Sequence, residues 1–191
     1  LGSDDDFLVF VDDDEVVGPN WLDALLSVQR QTNAHVVAGP VLTVFPPDAP
    51  RWIVKGGFMR RRRYPSGPQL TSVAAANTLI SADSIRQSGL MFDPSFSFTG
   101  GEDTDYFRRM RPFTGPPVWA DDAIAWEEAT SERLRLSWLA RRAFRNGAVS
   151  ARIQLRTKSR ARVLIHSLAA IVKYTAIFVG QSIRRAAPSA E

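Results

Sequence analysis

Phe7 to Val11 is a short apolar run, rich in aromatic and β-branched residues, with acids on both sides. Such a run reads as a fully buried strand of an α/β sheet. Asp12, Asp13, Asp14 and Glu15 follow at its C-terminal end. Pro19 to Arg30 then carries apolar residues at helical spacing, with proline near the start, where its missing N–H costs little. A strand, an acidic loop and a helix place carboxylates at the sheet edge, where ligands of open α/β sheets bind. Asp12 and Asp14, one residue apart, offer hard oxygen ligands to Mg²⁺ or Mn²⁺, which would bridge phosphate oxygens. The other reading is an acidic turn capping the helix. Consecutive aspartates repel one another, and a bound cation is the simplest relief.

The rest of the chain continues the alternation. Ala34 to Phe45 reads as a strand broken at Gly39-Pro40, and Pro46 to Pro50 as a stiff connector. Arg51 to Gly67 is an irregular loop containing the densest positive run, Arg60 to Arg63. Thr71 to Ile80 is a strand, Ala82 to Ser88 a helix ended by Gly89, and Met91 to Gly101 a loop leading into a helix from Glu102 to Met110. Pro116 to Ala125 returns to the sheet, and Ser131 to Arg145 has a strong helical period that Gly147 ends or kinks. With 191 residues, 45% of them hydrophobic, the chain has material for one substantial core. The expected division is an α/β domain over 1–153 and a basic, apolar tail over 154–191.

The absence of cysteine excludes disulfides, Cys-ligated zinc and thiol catalysis. His35 and His166 lack ligand spacing and read as structural. Acids crowd the first part and arginines the part after Arg133, so the net charge of +4 is unevenly spread. The basic half faces an anion: a headgroup, a pyrophosphate or nucleic acid. No recognition motif accompanies the arginines, which argues against nucleic acid. Val163 to Val179 is almost wholly apolar, but His166 and Lys173 interrupt it. A lysine near a bilayer centre costs about 2.5–3.5 kcal/mol, so an amphipathic helix lying in the interface is favoured over a span or a core helix.

Gly100-Gly101-Glu102-Asp103 is the second chemical signal. Two glycines allow close approach of a ligand, and adjacent carboxylates supply a hydrogen-bond acceptor and a general base, as a sugar hydroxyl requires. The other reading is a glycine-ended loop before an acidic helix N-terminus.

The order of these motifs resembles glycosyltransferase family 2, which has the GT-A fold. Phe10-Val-Asp-Asp-Asp-Glu15 resembles the family's metal-binding Asp-x-Asp, and Ala76-Asn77-Thr-Leu-Ile-Ser81 its Gly-Asn-x-Leu-Ile-Arg segment. Gly89-Leu-Met-Phe-Asp93-Pro and Gly100-Gly-Glu-Asp-Thr-Asp-Tyr-Phe-Arg108 resemble its acceptor-site stretch. Ser131 to Trp138 and Arg145-Asn-Gly147 are similar to the tail of succinoglycan-type exopolysaccharide members. The resemblance covers roughly residues 5 to 153. It implies a partial GT-A, Rossmann-like mixed sheet flanked by helices, with the nucleobase-binding strands lying before Leu1. It also implies inverting transfer of a hexose from a nucleotide sugar, UDP-glucose first, to a lipid-linked or growing glycan. The place would be the cytoplasmic face of the plasma membrane, with peripheral association. The alternative is a noncatalytic remnant or acceptor-binding subunit.

Residue by residue, the resemblance makes Asp14 the principal metal ligand and Asp12 a partner that contacts the donor or the metal, with Mn²⁺ or Mg²⁺ as cofactor. Asp103 would be the base, and Gly101 and Glu102 would help hold the acceptor, although the two carboxylates can exchange roles. Asn77 would sit at the donor. Glu127 is a substitute metal ligand where relatives carry histidine. Arg142 and Arg145, beside Trp138, either close over the donor diphosphate or lie at a membrane surface. Ala76 and Ser81 depart from the family's glycine and arginine.

Overall fold

A computed structural model describes residues 5–67 and 69–169. The chain divides into two compact units, residues 1–145 and 146–191. The first unit holds two sheets. Strands β1 (Phe7–Phe10), β5 (Thr78–Ser81), β3 (Val36–Ala38) and β6 (Val118–Trp119) form one, in the order β1-β5-β3-β6. Strands β2 (Glu15–Val17), β7 (Ala125–Glu128) and β4 (Val41–Val44) form the other, in the order β2-β7-β4. Both are mixed: β5 pairs antiparallel with β1 and β3, and β3 pairs parallel with β6. In the second sheet β7 pairs antiparallel with β2 and parallel with β4.

The alternation of side chains explains the layers. Val37 and Leu79 face α1 (Trp21–Thr32) and pack with its Leu25 and Val28. Val36, Ala38 and Ile80 face the other way, onto Ile85 of α3 (Ala82–Ser88) and Tyr106, Phe107 and Met110 of α4 (Glu102–Thr114). A period of two thus lets three residues of β3 serve two cores. A third core joins Ile53 of α2 (Arg51–Gly56) to Met59, Ala129 and Leu134.

Several expectations are refined. The strand expected to be fully buried is only half-buried, because β1 is an outer strand of its sheet and one flank lacks a partner among the described residues. The strand expected over Ala34 to Phe45 is two strands in different sheets, β3 and β4, switching at Gly39-Pro40. Gly39 is required there: a Cβ would lie 2.3 Å from the Ala123 carbonyl oxygen and 2.6 Å from Asn77 Nδ2. The return strand over Pro116 to Ala125 resolves into β6 and β7. The helix expected over Ser131 to Arg145 is α5 (Leu136–Leu155), with Gly147 inside it rather than ending it.

Residues 160–169 are helical. Residues 170–179 of the expected interfacial helix lie outside the described residues. Among the described residues no helix is long and apolar enough to cross a membrane.

Candidate functional site

The acidic loop leaves β1 and closes on itself. Glu15 donates its backbone N–H to the Asp12 carbonyl at 3.1 Å, while Asp12 donates its own to Glu15 Oε2 at 3.3 Å. Glu15 then enters β2 directly opposite Glu127 of β7. Two carboxylates in register repel, and arginines resolve the conflict. Arg61 donates to Glu127 Oε2 at 2.6 Å and lies 3.9 Å from Glu15 Oε1. Arg133 donates to Glu127 Oε1 and, through Nη2, to Asp14 Oδ2 at 2.8 Å. Acid and base therefore alternate from Asp14 through Arg133, Glu127 and Arg61 to Glu15.

This pairing leaves carboxylates in excess on one side. Burial pushes the Asp12 carboxyl above its usual range; Arg61 opposes that, and the charges of Asp14, Glu127 and Asp103 add to it. Glu15 is pushed up to about 7, chiefly by burial, with the Asp12 N–H bond opposing and the Asp12 charge adding. Its Oε1 is buried without a hydrogen-bond partner. Asp103 belongs to the same electrostatic neighbourhood as the acidic loop, although 91 positions separate it from Asp12 in sequence.

The Asp103 carboxylate is oriented from two sides. Its Oδ1 accepts from the Thr104 backbone N–H at 2.6 Å and its Oδ2 from the Ala75 N–H at 3.3 Å. Gly100 and Gly101, at φ 73° and 91°, turn the chain into α4 through a conformation that side chains rarely adopt. Asp103 is half-buried and Glu102 exposed at that helix start, where the dipole favours both carboxylates. Asp105, two residues further along α4, is buried and paired with Arg109 at 2.8 Å. Arg109 also donates to the Met91 carbonyl, tying α4 to the loop before it.

Arg133 of this network and Arg142 both lie near the Trp138 ring. The Arg142 guanidinium lies 5.1 Å from the Trp138 ring centroid and that of Arg133 lies 6.0 Å from it. Burial holds Arg142 below the usual arginine range; Arg61, Arg133 and Arg145 lower it further, and Glu127 opposes them. Arg142 has no ion pair among the described residues. A half-buried guanidinium without an ion pair among the described residues suits an anionic ligand.

Two of the expected site residues are engaged by the protein's own groups. Asn77, expected at the donor, is 0% exposed and its amide is fully engaged. Its Nδ2 donates to the carbonyls of Pro40 at 2.9 Å and Ala123 at 2.7 Å, and its Oδ1 accepts from Trp21 Nε1 at 2.5 Å. With φ 51° it holds a left-handed turn that asparagine tolerates, and it ties α1, the Gly39-Pro40 switch and the strand before β7 together. Glu127, expected as a metal ligand, has both oxygens bound by guanidinium groups. Among the described residues no three carboxylates or histidines are grouped to hold a metal. Asp12 and Asp14, the latter with its Oδ2 bound by Arg133, are the carboxylates that could hold Mg²⁺ or Mn²⁺, ions that take one or two carboxylates with phosphate oxygens and water completing the shell. Spacing along the chain does not reveal the roles of Arg61 and Arg133, because Arg61 lies 66 positions from Glu127 and Arg133 119 positions from Asp14.

No protein-family model matches the chain. It is 36% identical, over 151 residues, to the succinoglycan biosynthesis protein ExoM of Rhizobium meliloti (strain 1021), covering 79% of this chain and 49% of that protein. The chain thus spans about half the length of this relative. The crystal structure of S. aureus TarS 1-349 superposes with a TM-score of 0.52 at 11% identity, over 85% of this chain and 44% of that one. Its complex with UDP-GlcNAc gives 0.52 at 12%, over 84% and 46%. These two likenesses show the fold. Together with the sequence relationship, they make this chain similar to part of a succinoglycan-type glycosyltransferase of GT-A fold.

Proposed function

We propose that this protein is a metal-dependent hexosyltransferase of exopolysaccharide biosynthesis. It moves a hexose, with inversion, from a nucleoside-diphosphate sugar to a lipid-linked or growing glycan at the cytoplasmic face of the membrane. The observation that carries this reading is the convergence of Asp12, Asp14 and Asp103 in one electrostatic neighbourhood, with Arg142, which has no ion pair among the described residues, in the field of Glu127 from the same network. The relation to a succinoglycan biosynthesis protein supports the pathway. The TarS complexes with UDP and with UDP-GlcNAc support the donor class, and UDP-glucose is the first donor to test.

Asp12 and Asp14 would hold Mn²⁺ or Mg²⁺, which supplies charge stabilisation to the departing diphosphate. Arg142, with Arg145 nearby, opposes the same negative charge from the protein side. Asp103, held by Thr104 and Ala75, accepts the proton of the acceptor hydroxyl. The hydroxyl oxygen attacks the anomeric carbon opposite the diphosphate, forming the new C–O bond as the old one breaks, which inverts the centre. Glu102 and the Gly101 backbone hold the acceptor in place.

Transfer from UDP-glucose to a glycan acceptor tests the reading. Asp103→Asn is expected to lower the rate by about 10²–10⁴-fold, the range for a positioned general base, while leaving UDP affinity intact. Asp14→Ala is expected to abolish the response to Mn²⁺. A rate that survives Asp103→Asn refutes the base assignment. Acceptor binding without any heat on adding UDP and Mn²⁺ favours an acceptor-binding subunit instead.

A further inference from the structure

A cleft of about 770 Å³ lies beside β4, lined by Leu42, Phe45 and Val54 and by Arg60 to Arg63. Its basic segment is firmly anchored. Thr43 Oγ1 donates to the Met59 carbonyl at 3.2 Å, and the Met59 side chain is buried in the third core. Arg61 is spent on Glu127, and Arg63 binds both carboxylate oxygens of Asp121, at 2.9 and 2.8 Å. Arg60 and Arg62 are different: both are exposed, and neither has an ion pair among the described residues. The Arg62 guanidinium rests 4.9 Å from the Tyr64 ring centroid, which limits its freedom before any ligand arrives.

The cleft wall also carries the apolar side chains of Leu42, Phe45 and Val54, with Trp52 and Phe58 exposed on the same stretch of chain though outside the lining. Val54 is 44% exposed and Phe58 57%, with Phe58 packed edge-to-face on the exposed Trp52 at 5.7 Å between centroids. Free phosphate would satisfy the guanidinium groups and leave this apolar surface in water. A neutral glycan or a bare hydrocarbon would leave the arginines unmatched. A ligand with a diphosphate joined to an apolar chain satisfies both, because guanidinium binds phosphate oxygens bidentately and the chain removes apolar surface from water. The volume lies within the range of small-ligand sites.

We propose that this cleft binds the diphosphate of an acceptor carried on an apolar chain, with Arg60 and Arg62 as its phosphate ligands. The inference rests on the proposed transfer to a lipid-linked acceptor and assigns the place where that acceptor's diphosphate sits. Arg61, shared between the cleft and Glu127, sets the two sites side by side.

The probe is farnesyl diphosphate, titrated calorimetrically into the full chain, with inorganic pyrophosphate, farnesol and UDP with Mn²⁺ as comparison ligands. Farnesyl diphosphate is expected to bind more tightly than pyrophosphate or farnesol. The double variant Arg60→Ala/Arg62→Ala is expected to weaken it about tenfold or more, without changing UDP affinity or the unfolding temperature. Arg60→Lys/Arg62→Lys, which keeps the charge and loses the fork, recovers part of the affinity. Unchanged affinity in the double alanine variant overturns the proposal. So does pyrophosphate binding as tightly as farnesyl diphosphate, which marks a site for free phosphate. One-for-one displacement by UDP, which makes the cleft part of the donor site, overturns it as well. The catalytic reading fails separately, when Asp103→Asn leaves transfer intact, whatever farnesyl diphosphate does.

Discussion

Replacing Asn77 by aspartate separates a positioning role from a donor-binding one. The two side chains have the same shape and tolerate the left-handed turn at φ 51° about equally. The change removes the Nδ2 donor that serves the Pro40 and Ala123 carbonyls at 2.9 and 2.7 Å. Each carbonyl is then left facing a carboxylate oxygen in a position that is 0% exposed. An unsatisfied buried partner costs about 1–3 kcal/mol, so two cost about 4 kcal/mol. Protonating the new carboxyl returns one of the two bonds at most. For a unit of this size about 2–4 °C is lost per kcal/mol, which gives a fall of roughly 8–16 °C in unfolding midpoint. Thermal unfolding followed by tryptophan fluorescence is a direct assay, because Trp21 donates to Asn77 Oδ1 at 2.5 Å. A midpoint that falls by less than about 3 °C while UDP affinity drops would refute the reasoning, since it would put Asn77 at the donor.

Three further outcomes follow from the same contacts. The native state keeps a proton on Glu15 up to about pH 7, whereas the unfolded chain releases it near 4.5. Stability from this group therefore falls as pH rises between those values, by up to about 3 kcal/mol, and levels off above. Glu15→Gln is expected to flatten that slope between pH 5 and 8 in urea unfolding, and equal slopes in the two proteins would count against it. Arg142→Met, which removes a half-buried cation without an ion pair among the described residues, is expected to leave the unfolding midpoint unchanged or slightly raised and to weaken UDP binding about tenfold. Calorimetry showing equal UDP affinity would remove Arg142 from the donor site. Gly39→Ala drives a Cβ to 2.3 Å from the Ala123 carbonyl and 2.6 Å from Asn77 Nδ2. The expected loss is about 3 kcal/mol or more, and a soluble variant with the parent's unfolding midpoint would contradict the close approach at that switch.

Patterns local in the chain were legible without coordinates. The apolar run before Asp12 is a strand, the amphipathic run after Pro19 is a helix, and α4 starts at Glu102 after Gly100 and Gly101 turn the chain. Each depends on periodicity or backbone preference within a few residues. The helix α5 runs through Gly147 because a helical glycine costs only about 1 kcal/mol, which a helix of 20 residues can bear.

The order of residues along the chain settled which carboxylates would stand at strand and helix ends, because those positions follow from local hydrophobic period and turn chemistry. The tertiary structure decided which of them keep free charge. Glu127 looks like a ligand in isolation, yet Arg61, from 66 positions away, and Arg133, from the turn that follows β7, claim both of its oxygens. Asn77 looks like a donor contact, yet the crossing from β3 to β4 buries it among backbone carbonyls. Asp12 and Asp103 are distant in sequence and share one field only because separate elements place them together. Charge balance at a site is a sum over neighbours in space, and that sum cannot be formed from spacing along a chain.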